Sequence, residues 1–150
     1  MDHGAYAAEL FCKGYNCAQA VTVAFCDVTG LSEDFSARLA SSFGGGMGRM
    51  REVCGAVSGM FMAAGLLYGS GTLSHEEKSK HYTRLQALAA AFRDKNSSII
   101  CRELLSGVAV SSDALPEQRS DGYYKKRPCA KLCYDAASIL AQYIEENPIP

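Results

Sequence analysis

The stretch from Cys54 to Tyr68 restricts this chain most. It lies inside Val53 to His75, a run with no Asp, Glu, Lys or Arg. Within it Gly55, Gly59 and Ala63 recur at every fourth position and form a smooth strip on one helix face. Glycine inside a helix costs about 1 kcal/mol relative to alanine, so close approach by another group must offset it. A neighbouring helix is one occupant of the strip; a flat cofactor or substrate is another. The run is long enough to raise a membrane span, which needs roughly 20 apolar residues. Gly65, Gly69, Gly71, Ser58, Ser70 and Ser74 interrupt it, and the expectation is a buried central helix and no membrane.

The remaining segments read as helices that cover this one. Phe11, Tyr15, Ala18, Val21, Phe25 and Val28 recur at steps of three and four. Gly14-Tyr15-Asn16 interrupts that stripe, and Asn16 with Gln19 three residues later predicts a second helix starting at Cys17. Ser32 caps a short helix to about Ser42, and Ser74-His75-Glu76-Glu77 opens a long one through about Lys95. Asn96-Ser97-Ser98 precedes a helix over Ile99–Leu105; after a polar loop from Ser111 to Lys126, Pro128 starts the last. The expected fold is all-α, a compact bundle of five to six helices in one domain over residues 1–150. With 48% hydrophobic residues, a chain of this length builds one sizeable core. The formal charge of −1 gives no basic face, so nucleic acid is not expected as a partner. The start Met1-Asp2-His3-Gly4-Ala5 lacks the features of a secretory signal, and the expected location is cytoplasmic. An exposed apolar face leaves room for a homodimer.

Seven cysteines in such a chain call for an explanation. An odd number in a reducing compartment argues against a disulfide framework and leaves metal binding, redox chemistry or simple burial. Position separates them. Cys17, Cys101 and Cys129 fall at expected helix starts, where the macrodipole favours a thiolate, and Cys54 comes after the loop Gly44–Gly48 with Arg49 and Arg51. Cys12 and Cys26 read as packing residues. Cys133, four residues after Cys129, is a ligand pair, a redox pair or part of an apolar face. Glu52 is a candidate proton acceptor, and His81 reads as a partly buried structural histidine.

The loop itself lacks a complete GxGxxG, because Arg49 holds the last glycine position. Gly45, Gly46, Gly48 and Arg49 could still cradle an anion through backbone N–H groups, with Arg51 assisting; a tight turn between helices is the simpler reading. The chain resembles the C_GCAxxG_C_C family, described as redox-active. The matching residues are Gly14-Tyr15-Asn16-Cys17-Ala18-Gln19, the loop through Glu52-Val53-Cys54-Gly55-Ala56-Val57-Ser58-Gly59, Cys101-Arg102-Glu103-Leu104-Leu105, and Cys129. The central motif here has Cys and Gly interchanged relative to the family's name.

The resemblance implies a small helical protein with a redox or metal-linked cysteine cluster. Thiol/disulfide exchange or electron transfer through Cys17, Cys54, Cys101 and Cys129, gathered at one end of the bundle, is the expected chemistry, with a redox partner protein. The same four thiols as ligands of zinc or an iron–sulfur cluster form the alternative, although no C-x-x-C occurs. A non-catalytic module, with Met47, Met50, Met60 and Met62 forming a ligand pocket, is the third.

Overall fold

The computed structural model describes residues 1–71 and 74–150. Among these residues the chain is helical, without a β-strand: α1 (His3–Cys12), α2 (Cys17–Ala24), α3 (Cys26–Thr29), α4 (Glu33–Ala40), α5 (Gly55–Tyr68), α6 (His75–Asn96), α7 (Cys101–Leu104), α8 (Asp121–Lys126) and α9 (Cys129–Glu146). A 3-10 turn, Ser41–Phe43, comes directly after α4. The expected all-α class is observed, but five to six helices is too few. Helices α3, α7 and α8 span four, four and six residues. Such single turns carry too few residues for a periodic apolar stripe, so the pattern that reveals longer helices does not reveal them.

Local chemistry sets the helix starts. Asn16 accepts from Gln19 N–H while Gln19 Oε1 accepts from Asn16 N–H, a reciprocal capping box that fixes Cys17 as the first residue of α2. Ser32 and Ser74 cap α4 and α6 from the expected positions. Ser120, inside the stretch expected as loop, caps α8 by accepting from Tyr123 N–H. In the 96–98 cluster Ser97 ends α6 in the left-handed region, and Ser98 Oγ accepts from Ile100 N–H and donates to Glu103 Oε1. The next helix therefore begins at Cys101 rather than Ile99.

Packing is governed by the small residues. A Cβ on Gly59 would lie 2.7 Å from Ala18 O and 3.0 Å from Val21 Cβ, so the strip on α5 is filled by α2. A cofactor against that strip is thereby replaced by a helix. A Cβ on Gly4 would lie 2.2 Å from Ser138 Oγ, which marks the close contact of α1 with α9. Phe11, Phe25, Phe92, Met60 and Leu140 fill the space between these helices and are fully buried. On α9 the buried positions Cys129, Leu132, Cys133, Ala136 and Leu140 fall on one face and complete the core. Among the described residues, no helix is long and apolar enough to cross a membrane.

The two helix-interior glycines of α5 should respond oppositely to alanine. Gly59→Ala forces a Cβ against backbone and should lower stability by about 1–3 kcal/mol. At Gly65 the nearest atom to an added Cβ is His81 Nε2 at 4.0 Å. Gly65→Ala should raise stability by about 0.5–1 kcal/mol through helix propensity alone. Urea unfolding midpoints of the two variants check this.

Candidate functional site

The loop before α5 turns sharply. Gly45, Gly46, Met47, Gly48, Arg49 and Arg51 all have positive φ, between 57° and 72°. Three of these are not glycine, a conformation that costs such residues of order 1–3 kcal/mol each and persists only where the surroundings hold it. Here the hold is internal: Gly48 N–H donates to Ser42 O, Arg49 N–H to Gly44 O, Arg51 N–H to Gly45 O and Glu52 N–H to Gly46 O. Met47 and Met50 N–H are likewise taken by loop carbonyls. Six loop N–H groups, those of residues 47–52, are thus bonded within the loop, which aims the segment Glu52–Cys54.

That segment enters a short extended pairing. Val53 and Ile100 form an antiparallel bridge; Cys54 N–H donates to Ile99 O at 2.8 Å and Cys101 N–H donates to Glu52 O at 2.6 Å. Two cysteines 47 positions apart in the chain are thereby locked side by side. Gly46 packs beneath them, where a Cβ would lie 2.6 Å from Cys101 Cβ. On the other side a Cβ on Gly55 would meet Cys17 Cβ at 3.1 Å, which brings in the start of α2. The first turn of α9 supplies Cys129.

Cys17, Cys54, Cys101 and Cys129 consequently line one cavity of about 50 Å³, with Phe11, Leu132, Tyr123 and three arginines. Each of these cysteines stands at a helix start: Cys17, Cys101 and Cys129 as first residues, Cys54 as the residue before Gly55. All seven cysteines are free thiols. The Cys17 thiol interacts with those of both Cys129 and Cys133, and Cys133 Sγ also faces Cys17 O at 3.9 Å. Cys133, fully buried, is therefore a fifth member. Cys12 is exposed rather than packed, and Cys26 lies apart, 3.2 Å from Ser36 Oγ.

The arginines come from two places. Arg51, only 6% exposed, donates through Nε to Ser111 O and points Nη1 at Cys101 Sγ, 3.8 Å away. Arg119 donates to Phe11 O and Tyr15 O and lies over the Phe11 ring. Arg127 pairs with Glu117 Oε1 at 2.6 Å and lies over Tyr123. Arg49 lies outside the cavity, tied to Asp113 and to Leu115 O.

Despite helix starts and arginines, the thiols are held protonated. Burial pushes Cys54 up to about 12 from 9.0, against the pull of the Ala56 and Val57 N–H dipoles. Burial also raises Cys101, with Arg51 opposing. The Cys129 thiol is raised first by its hydrogen bond to Cys17 and then by burial. For Cys17 the bond to Cys129 favours the thiolate, but the bond to Cys133 and burial outweigh it and the net direction is upward. Cys133 also ends up raised: its bond to Cys17 lowers it, and burial overrides. The lowered values expected from helix dipoles are thus not found in the resting protein; desolvation is the larger effect.

A family model described as "Putative redox-active protein (C_GCAxxG_C_C)" matches residues 15–143. The chain belongs to this family. The C_GCAxxG_C_C match spans the loop and all five clustered cysteines. No curated protein and no solved structure matches the chain.

Of the other residues singled out by sequence, Gly45 and Gly46 line the thiol cavity, whereas Gly48 and Arg49 line the groove adjoining it. Glu52 turns outward to pair with Arg102 at 2.8 Å. His81 contacts Arg84 at 2.8 Å, away from the cysteines, and burial together with the Arg84 charge lowers its pKa. The methionines do not form a pocket: Met47 and Met50 are exposed and Met60 is in the core. Sequence reasoning missed Arg119 and Tyr123, which sit in a polar segment without periodicity. The donor type suits zinc or an iron–sulfur cluster. Among the described residues, however, no three His, Cys, Asp or Glu side chains are arranged to hold a metal ion.

The protonated state of Cys54 is measurable in two ways. With a native value near 12 against 9.0 in the open chain, its alkylation by iodoacetamide at pH 8 should be about a thousandfold slower in the folded protein than in urea. Because the folded value is the higher, the unfolded chain ionises first. The stability it lends is complete below pH 9 and should be lost as pH rises from 9.0 towards about 12, which denaturant melts across that range would show.

Proposed function

We propose that the protein carries out two-electron thiol–disulfide exchange through this cluster, with Cys17 and Cys129 as the pair that becomes the disulfide. The carrying observation is that Cys17 and Cys129, each the first residue of its helix, line one cavity that Cys54 and Cys101 also line. A thiolate of the cluster attacks a sulfur of an incoming disulfide, forming a mixed disulfide and releasing one thiol. The second cysteine then attacks the mixed disulfide, and the other half leaves as a thiol. The two protons lost by the cysteines appear on the products, and the two electrons go to the substrate.

Neutral resting thiols suit this assignment. They guard the reduced form against adventitious oxidation until a substrate that displaces water and supplies an electrophile arrives. Cys101 faces Arg51, whose charge favours its thiolate, and it is the first nucleophile: Cys129 resolves its mixed disulfide, and Cys17 then attacks the Cys129 sulfur of the Cys101–Cys129 bond, which leaves Cys17–Cys129 and returns Cys101 as a thiol. Cys133 competes with Cys129 for Cys17, so the cluster offers an exchange path rather than a single bond. A reducing compartment, with a protein or small-molecule disulfide as electron partner, is the setting this chemistry requires.

Thiol titration and peptide mapping of anaerobically purified protein test the reading. Treatment with a small disulfide should remove two titratable thiols and yield a peptide joined through Cys17 and Cys129. Cys17→Ser should abolish that crosslink while leaving the fold, monitored by circular dichroism, unchanged. Stoichiometric zinc or iron, lost with Cys17→Ser or Cys54→Ser, would instead establish a thiolate metal centre and overturn the exchange reading.

A further inference from the structure

The thiol cavity opens into a groove lined by Asn16, Ser41, Pro116 and four arginines, Arg49, Arg51, Arg119 and Arg127. Among the described residues lining cavity and groove, Glu117 is the one carboxylate. It is shared between Arg127 at 2.6 Å and Arg49 at 3.7 Å, and Arg49 has Asp113 as well. The polar contacts of Arg51 are Ser111 O and the Cys101 sulfur; those of Arg119 are Phe11 O, Tyr15 O and the Tyr124 hydroxyl. Two guanidiniums thus face the thiols with dipoles but no carboxylate against them. Arg51 is buried and Arg119 half-buried; a desolvated charge without a counter-charge is costly to maintain, and the neutral thiols do not supply one. The N-termini of α2, α5 and α9 add positive potential at the same place. This local excess stands in a chain whose formal charge is −1, so it is not a by-product of a basic protein.

We propose that the cavity and its groove bind a small molecule through a carboxylate or other oxygen-anion group set between Arg51 and Arg119, and that the substrate disulfide is accordingly small and anionic. This rests on the thiol-exchange reading for the reaction, though not for the binding. A cavity of about 50 Å³ accepts a carboxylate head or a few waters, and the remainder of the molecule lies along the groove. The substrate sulfurs then sit where cavity and groove meet, beside the cavity wall that Cys101 and Cys129 help form. Attack forms the mixed disulfide, the leaving half departs as a thiol with one proton, and the resolving cysteine completes the transfer of two electrons.

Three disulfides of similar length and different charge separate the alternatives: dithiodiglycolate, bis(2-hydroxyethyl) disulfide and cystamine. Rates with the reduced, metal-free protein are divided by those with a simple thiol peptide to remove intrinsic reactivity. The anionic reagent should then react about tenfold or more faster than the neutral one at low salt, and cystamine slowest. Inorganic phosphate should compete and should bind in a calorimetric titration. Arg51→Gln and Arg119→Gln should erase the preference, and Arg51→Lys should retain part of it. Should the Gln variants fail to fold, the wild-type reagent series and the phosphate titration still decide. Equal corrected rates without phosphate binding would overturn the anion site while leaving thiol exchange standing. Phosphate binding with no oxidation by any reagent would uphold the anion site and overturn the exchange reading.

Discussion

Helices α2 and α5 approach so closely that the backbone of one takes the place of side chains on the other. Gly55 and Gly59 allow this: a Cβ on Gly55 would lie 3.0 Å from Ala18 N and 2.9 Å from Phe43 O. With the two helix starts pressed together, Cys17 and Cys54 have no choice but to be neighbours. The loop from Gly44 to Arg51 then has to reverse within a few residues, and its positive φ values arise from that demand. The Val53–Ile100 pairing, reached at the end of the turn, delivers Cys101 to the same point.

The site sets two electrostatic effects against each other. A helix start favours a thiolate, but by no more than about 2 kcal/mol even in favourable partly buried geometry. A rise from 9.0 to about 12 for Cys54 corresponds to about 4 kcal/mol in favour of the neutral thiol. Desolvation wins in the closed site. Arg51 and Arg119 are then left holding positive charge beside uncharged sulfur. The proposed thiol exchange and the proposed anion recognition both rest on this one arrangement, since a negative group entering the cavity would meet the unbalanced guanidiniums first.

Much of the helical framework was legible from short-range chemistry. Asn16 with Gln19, Ser32, and Ser74 with Glu77 mark helix starts because their caps involve only residues three positions apart. The placement of Cys17, Cys101 and Cys129 at or near helix starts was also legible, since Asn16, Pro128 and the 96–98 cluster are visible without any tertiary contact, whereas Cys54 was legible only as the cysteine that follows the glycine loop. Arg119 and Tyr123 were not. They lie in a stretch with no apolar period, and their place in the site depends on contacts with Phe11, more than 100 residues earlier. Nor could spacing choose among the readings of Cys133, because the face that α9 turns towards α2 is decided by packing.

The sequence by itself determined which residues start helices, which faces are apolar, and that the strip of small residues on α5 requires a close neighbour. These features arise from backbone hydrogen bonding and side-chain volume within a few residues. Tertiary structure alone decided that the neighbour is α2, that loop N–H groups of residues 47–52 bond within the loop, and that the five clustered cysteines favour the protonated form. Burial is the reason. The charge state of a thiol depends on how much water the whole fold removes from it and on which arginines the fold brings near, and neither is encoded in the residues beside it in the chain.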